Sequence, residues 1–442
     1  MQVSIETTSK LERRLTVGVP AETVDSQVDE RLRQAVKNVR LPGFRPGKVP
    51  LKVMRQRFGP GVRQEVLGEV MSRSFQEAVT QEKLKPAGQP TIEPRNMDAG
   101  KDLEYIATFE VFPDVEVVEL KDYPVEKPAA EVTAEDVDNI IEVFRKQRGS
   151  WETVERAAEK EDRVNIDFEG TRDGEAFEGG SAEGSDLELG SGQMIPGFED
   201  GIVGMSAGEE KVLSLSFPDD YHADELKGAA VEFKVKVNKV EEMQLAPLDA
   251  ELYAAYGLEG DDEAEFRAEV EQNMARELRN AVDARVKKQV MDAVIEAYSD
   301  LEVPAALISQ ETDALRNQMF QQFGGSAPEG MDLKSILPDD MFAENAARRV
   351  KLGLVLAELI AHFELKADEE AIKAAVEEIA STYQDPEEVV NWYFGNQEQL
   401  AAVESKVLED KVVDRLLESA AISEKACTYQ EAIALGQQAN QQ

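Results

Sequence analysis

The chain has 442 residues, too many for one hydrophobic core, so roughly two to four domains are expected. Its composition, 31% charged and 42% hydrophobic with a net charge of −40, is that of a polar-leaning globular chain with no apolar run long enough to cross a membrane. One cysteine, Cys427, excludes an internal disulfide and points to a reducing compartment; with only His222 and His362 besides, a zinc centre or a histidine-based nucleophile lacks members.

In chain order, the N-terminus MQVSIETTSKLERR carries no apolar signal segment. Residues 11–19, LERRLTVGV, alternate as a strand. Pro20 then opens a helix to about Arg40, with Val24, Val28, Leu32 and Val36 on one side. Pro42 and Gly43 stop it. A short helix is expected after Pro50, broken at 59-GPG-61, and a longer one from Val62 to about Leu84. Strands over 89–94 and 103–112, with a turn at 98-DAG-100, complete an α+β domain spanning 1–112.

Charge is distributed unevenly. Residues 1–112 hold 18 Lys and Arg against 15 Asp and Glu, a net +3 that leaves the other 330 residues at −43. From Arg31 to Arg63 there are ten cations and no acid. Such a segment attracts phosphate while the acidic remainder repels it, which divides the molecule into a docking end and a working end. The loop 41-LPGFRPGKVP-50 lies inside this segment, its prolines fixing φ and its glycines freeing it around Phe44.

Residues 113–149 form a connector, extended through Pro113, Pro124 and Pro128 and then helical from a Thr133 cap, with Asp136 three residues on. From 150 to 245 glycine is frequent, and 164-VNIDFEG-170, 211-KVLSLSF-217 and 231-VEFKVKVNKV-240 predict a small antiparallel-sheet domain with a turn at 173-DG-174. Residues 246–442 are helix-forming throughout. One helix begins near Asp261, with Phe266, Val270, Met274, Leu278, Val282, Val286, Val290 and Val294 at four-residue spacing. That spacing winds round a helix by about 40° per step and suits a long element meeting several surfaces. Further helices are expected over 304–323, 340–363, 368–384 and 397–419, with Met274, Met291, Met319, Met331 and Met341 as adaptable apolar contacts. The end, 437-QQANQQ-442, reads as disordered, His222 as a surface-loop residue and His362 as a helix-packing residue.

Two motifs carry a resemblance. The loop 43-GFRPGKVP-50 resembles the G-F-R-x-G-K-x-P ribosome-docking signature of the trigger factor family, and 190-GSGQMIPGFEDGIVGMSAGEE-210 is similar to the core of FKBP-type prolyl isomerases. Order, lengths and the acidic helical C-terminus agree with that family along essentially the whole chain. The resemblance implies a multidomain α+β protein: a ribosome-binding domain (1–112), a linker (113–149), an FKBP-type isomerase domain (150–245) and an all-helical chaperone domain (246–442). It places Gly43, Phe44, Arg45, Gly47 and Lys48 at the large ribosomal subunit beside the exit tunnel, against ribosomal protein and rRNA. It assigns Phe168, Phe177, Met194, Ile195, Phe198 and Phe233 to the isomerase pocket, with Glu178 at the family's acidic position and Tyr221 at its carbonyl-bonding tyrosine. Phe198 stands where many single-domain FKBPs have Trp, and Phe168 where they often have Tyr.

The function implied is an ATP-independent chaperone that binds nascent and unfolded polypeptides, isomerises X-Pro bonds without cofactor or metal, resides in the cytoplasm and forms a homodimer off the ribosome. No phosphate loop of the G-x-x-x-x-G-K-[ST] type is present, in keeping with the absence of a nucleotide cycle. Two other readings stand beside it: a free cytosolic FKBP-type isomerase whose helices serve dimerisation, and an RNA-binding regulator using residues 31–63. Against the regulator, Phe44 and Phe58 are that segment's only aromatics.

Overall fold

The computed structural model describes the chain except residues 38, 40, 43, 45–47, 222, 224, 225, 259, 323–332, 382, 384, 441 and 442, and at 178 it describes the backbone alone. The residues divide into two compact units, 1–126 with 286–423, and 127–285 with 424–442.

In the first unit, β1 (Gln2–Thr7) and β2 (Glu12–Val19) precede α1 (Ala21–Val36), α2 (Leu51–Gln81), β3 (Thr91–Asn96) and β4 (Leu103–Glu110). The sheet order is β1-β2-β4-β3, antiparallel throughout, with Leu15 opposite Ala107 and Val17 opposite Tyr105. Alternation puts Leu15, Val17, Tyr105, Ala107 and Phe109 on one face, and their core is shared by Val24, Val28 and Leu32 of α1 and Val66, Val70 and Phe75 of α2. The Tyr105 hydroxyl donates to the Met71 carbonyl (3.0 Å) and lies 2.8 Å from the Ser74 hydroxyl, so its burial leaves no polar atom stranded.

Two expectations are corrected here. α1 ends at Val36, four residues before Arg40. α2 is a single helix of 31 residues that runs through Pro60 instead of breaking at 59-GPG-61. Met54 before the proline, and Val66 and Val70 after it, are all buried in the same core. Packing on both sides of the break holds one axis and outweighs the local propensity.

β5 (Pro124–Ala129) leads into the second unit and α3 (Ala134–Gln147). The capping box at its start is complete: the Asp136 N–H donates to the Thr133 hydroxyl (3.2 Å), and the Thr133 N–H donates to the Asp136 carboxylate (2.9 Å). β6 (Ser150–Val154), β7 (Arg163–Arg172), β8 (Glu175–Glu188), the short α4 (Phe198–Ile202), β9 (Glu210–Ser216) and β10 (Ala230–Gln244) follow. The five strands are antiparallel in the order β6-β10-β7-β8, with β9 on β10. The alternating residues Val231, Phe233, Val235 and Val237 of β10 are buried with Val164, Ile166, Leu213 and Phe217.

After α5 (Ala250–Ala255), α6 (Glu263–Ala297) spans 35 residues, and its four-residue row from Phe266 to Val294 is buried at every position. Its partners change along its length, as the winding spacing predicts. In the second unit Phe266 stacks on Tyr253 (4.6 Å between ring centroids) and Glu277 accepts from the Tyr429 hydroxyl (2.7 Å). In the first unit Lys287 pairs with Glu409 and Asp410, and Asp292 pairs with Lys288 and Arg348. The remaining elements are α7 (Ala305–Gln322), α8 (Leu333–Ile336), α9 (Ala343–His362), α10 (Glu369–Ala380), α11 (Pro386–Gly395), α12 (Gln397–Leu417), β11 (Ala421–Ala426) and α13 (Tyr429–Asn440).

The C-terminal portion is therefore not helical throughout: β11 pairs with β5 in a two-stranded sheet. Residues 437–440 belong to α13 rather than to a disordered tail, because Tyr429, Ala432 and Gly436 are buried, with Gly436 against Ala281 of α6. His362 is exposed at the end of α9, its ring 5.2 Å from that of Phe363, and does not pack in the core; His222 lies outside the described residues.

Candidate functional site

In the second unit the sheet and α4 bring six rings together. Phe198, from the first turn of α4, is fully buried and lies edge-on to Phe168 of β7 (5.6 Å) and Phe233 of β10 (5.3 Å). Phe177 of β8 meets Phe233 at 6.0 Å and Phe217 at 5.9 Å, and Phe217 meets Tyr221 at 4.5 Å. Met194, Ile195 and Tyr221 pack on this cluster half-buried, as do Phe168 and Phe177. Edge-to-face contacts at these spacings fix ring orientation as well as removing apolar area. Of the residues expected in the pocket, Phe168, Phe177, Met194, Ile195, Phe198, Tyr221 and Phe233 converge; the side chain of Glu178 lies outside the described residues.

Sequence reasoning passed over three kinds of contributor: a further ring, a pair of glycines and a buried acid. Phe217 continues the alternation of Leu213 and Leu215 and links Phe177 to Tyr221. Gly170 and Gly180 flank the Phe177 ring: a Cβ at Gly170 would lie 2.9 Å from it and 2.6 Å from Phe233, and one at Gly180 would lie 2.7 Å from it. The third is Glu199, buried beside Phe198, whose carboxylate accepts from the N–H groups of Gly190 (2.7 Å), Gly192 (3.1 Å) and Met194 (3.2 Å). Burial pushes its carboxyl pKa up, but these N–H bonds together with the Ser191 hydroxyl outweigh that and hold it below the ordinary range. The other described side chains of the cluster are apolar apart from the Tyr221 hydroxyl. Among the described residues no cluster of His, Cys, Asp and Glu is arranged to hold a metal ion.

In the first unit, Leu41 and Val49 are buried in the core, pinning both ends of the acid-free loop. Between them Phe44 is 39% exposed, with its N–H donating to the Leu41 carbonyl (3.1 Å), and Lys48 is exposed. Gly43, Arg45 and Gly47 lie outside the described residues. Part of the basic segment is neutralised by its neighbours: Arg31 pairs with Glu65 and Glu69, Arg55 with Asp29, and Arg63 with Asp25. Arg33, Lys37, Lys48, Lys52 and Arg57 are exposed with no carboxylate partner among the described residues. The acids that pair with the segment belong to α1 and α2, and Arg33, Lys37, Lys48, Lys52 and Arg57 are left to the solvent.

Residues 1–144 match the family described as bacterial trigger factor protein, 264–418 match its C-terminus, and 154–238 match FKBP-type peptidyl-prolyl cis-trans isomerase. A trigger factor of Cellvibrio japonicus is 55% identical over 98% of this chain and 99% of its own. The chain belongs to the trigger factor family. Trigger factors of Alcanivorax borkumensis, 54% identical over 100% of both chains, and of Pseudomonas aeruginosa, 52% identical over 98% of both, support the same assignment. A solved structure titled "Promiscuous Substrate Recognition in Folding and Assembly Activities of the Trigger Factor Chaperone" aligns over 95% of this chain and 99% of its own at 18% identity, with a TM-score of 0.47; likeness at that level adds nothing to the assignment. As a trigger factor with this domain, the protein is a chaperone and an FKBP-type peptidyl-prolyl isomerase. No helix among the described residues is long and apolar enough to cross a membrane.

Proposed function

We propose that this trigger factor docks through residues 43–48 on the large ribosomal subunit near the exit tunnel, meets nascent and unfolded polypeptides there, and isomerises their X-Pro bonds in the aromatic pocket. The observation that carries the reading is Phe44, held out to solvent between the buried anchors Leu41 and Val49 in a loop with no acid. A pinned loop loses little entropy on docking, and one apolar side chain among cations suits a surface of protein and phosphate. We assign Gly43, Phe44, Arg45, Gly47 and Lys48 to that contact, and residues 1–112, 113–149, 150–245 and 246–442 to docking, linker, isomerase and helical chaperone parts. Tyr383, Trp392 and Phe394 are exposed in the C-terminal helical part, supplying apolar surface for an unfolded chain. The protein would act in the cytoplasm, and as a homodimer when off the ribosome.

Catalysis needs no nucleophile. The barrier to rotating an X-Pro amide is about 18–20 kcal/mol because rotation breaks resonance, and a twisted imide is less polar than a planar one. A pocket walled by Phe168, Phe177, Met194, Ile195, Phe198 and Phe233 accommodates the twisted form better, and Tyr221 and Glu178 supply polar contacts to the rotating group. The test is a pair of assays on the full chain and on a chain lacking residues 150–245. The full chain accelerates cis/trans interconversion of a proline tetrapeptide and keeps a denatured protein soluble. The shortened chain loses the first activity and retains the second. If deletion removes both, the helical part is not the chaperone surface and the reading fails.

A further inference from the structure

Glu199 is the second residue of α4, directly after the buried pocket residue Phe198. It is 9% exposed, and no cation pairs with it among the described residues. A carboxylate in that position is held by hydrogen bonds, and every one comes from a single short segment. The N–H groups of Gly190, Gly192 and Met194 donate to it, as does the Ser191 hydroxyl at 3.3 Å. The Phe198 N–H donates to the Ile195 carbonyl at 3.1 Å, closing the far end of that segment onto α4. The loop 190–195 has neither strand nor helix to fix it, and glycines at 190 and 192 leave its backbone free. Between a turn bond at one end (Ser191 N–H to the Glu188 carbonyl, 3.3 Å) and the Phe198 bond at the other, one side chain holds it, and what it presents is Met194 and Ile195.

We infer that Glu199 is a positioning residue for prolyl isomerisation, fastening the 190–195 loop so that Met194 and Ile195 stand against the aromatic rings before substrate arrives. It touches no substrate itself. Without the carboxylate, the N–H groups of Gly190, Gly192 and Met194 lose their partner and the loop opens to recover hydrogen bonds from water. The wall that receives the proline ring is then assembled only on binding. Ground-state and transition-state contacts weaken together, so the loss falls on KM more than on kcat. Misplacement of a positioning contact by about 1 Å costs up to about 100-fold.

The inference rests on Met194 and Ile195 lining the pocket, so the experiment separates the two. Full-length Glu199→Gln, Glu199→Asp, Met194→Ala and Ile195→Ala are compared with the parent for kcat and KM on a proline tetrapeptide and for amide hydrogen exchange. In Glu199→Gln the amides of Gly190, Gly192 and Met194 exchange faster while those of Val235 and Val237 in β10 stay protected, and KM rises about tenfold with kcat within about threefold. Glu199→Asp keeps the charge on a shorter stem and recovers most of the loss. Opened loop amides with KM within twofold of the parent overturn the inference. Should Glu199→Gln lose protection in β10 as well, Glu199→Asp carries the test: a KM raised about threefold with β10 intact supports it, and an unchanged KM with opened loop amides overturns it. Parental kinetics in both Met194→Ala and Ile195→Ala overturn the pocket assignment and this inference with it.

Discussion

Gly170 shows how closely the aromatic cluster is fitted. An added methyl there meets Phe233 at 2.6 Å and Phe177 at 2.9 Å, and both rings are held by further rings, so neither can yield alone. Gly170→Ala is therefore expected to lower the stability of the β-sheet part by about 1–3 kcal/mol, read from exchange at the Val235 amide, and to reduce kcat/KM on a proline peptide. Parental exchange and kinetics would show that the rings repack freely. The clustering of the large apolar residues was legible in the sequence because they fall at strand alternation or inside the 190–210 motif. Gly170, Gly180 and Glu199 were not, because what matters about them is a ring or an N–H group brought near by the fold. Glu199 reads in sequence as one more acid in a chain of 89 Asp and Glu, and only its burial against the Gly190, Gly192 and Met194 N–H groups sets it apart.

Among elements, α2 tests local preference against packing. Pro60 lacks the N–H that would donate to the carbonyl four residues back, and a proline inside a helix costs about 3 kcal/mol. Part of that is offset, by about 1 kcal/mol, because proline also restricts the unfolded chain. Pro60→Ala is expected to stabilise α2 by about 1–2 kcal/mol, slowing exchange at the Val66 and Val70 amides by roughly fivefold to thirtyfold. Faster exchange would mean that Pro60 itself is needed for core packing. A second element-level test lies between α6 and α9. Burial raises the Asp292 carboxyl, but Lys288 and Arg348 outweigh it and leave its pKa below the ordinary value. The unfolded chain then takes up the proton first as pH falls. The pair's contribution is present above the unfolded carboxylate value of about 3.9 and is lost on acidification through the lower folded value. Thermal melts from pH 7 to 3 should show a shallower acid decline in Asp292→Asn than in the parent; identical declines would refute it. Helices with a four-residue apolar row, such as α1 and α6, were readable because that row is what packing uses. β1, β6, β8, β11 and α13 were not, being edge strands, a glycine-rich strand paired through register shifts, or segments ordered by partners distant in sequence.

For the whole molecule, what matters is where the charge lies. A chain of net charge −40 repels nucleic acid, yet residues 31–63 carry ten cations and no acid; Asp25, Asp29, Glu65 and Glu69 pair with Arg31, Arg55 and Arg63 of α1 and α2, while Lys48 in the loop between those helices has no carboxylate partner among the described residues. This division was legible from composition by segment, whereas the pairing of Arg31, Arg55 and Arg63 was not, since their partners lie 26 to 38 residues away. It confines phosphate attraction to one end and leaves the remainder to polypeptide. The most direct test is cosedimentation of the full chain with large ribosomal subunits at increasing salt, beside the variant Phe44→Ala, Arg45→Ala, Lys48→Ala. Stoichiometric binding that weakens with salt is expected, with affinity at least about tenfold lower in the variant and a salt slope smaller by about 2, one for each cation removed. Equal binding and equal slope in the two proteins, or no preference for subunits over naked RNA, would contradict it.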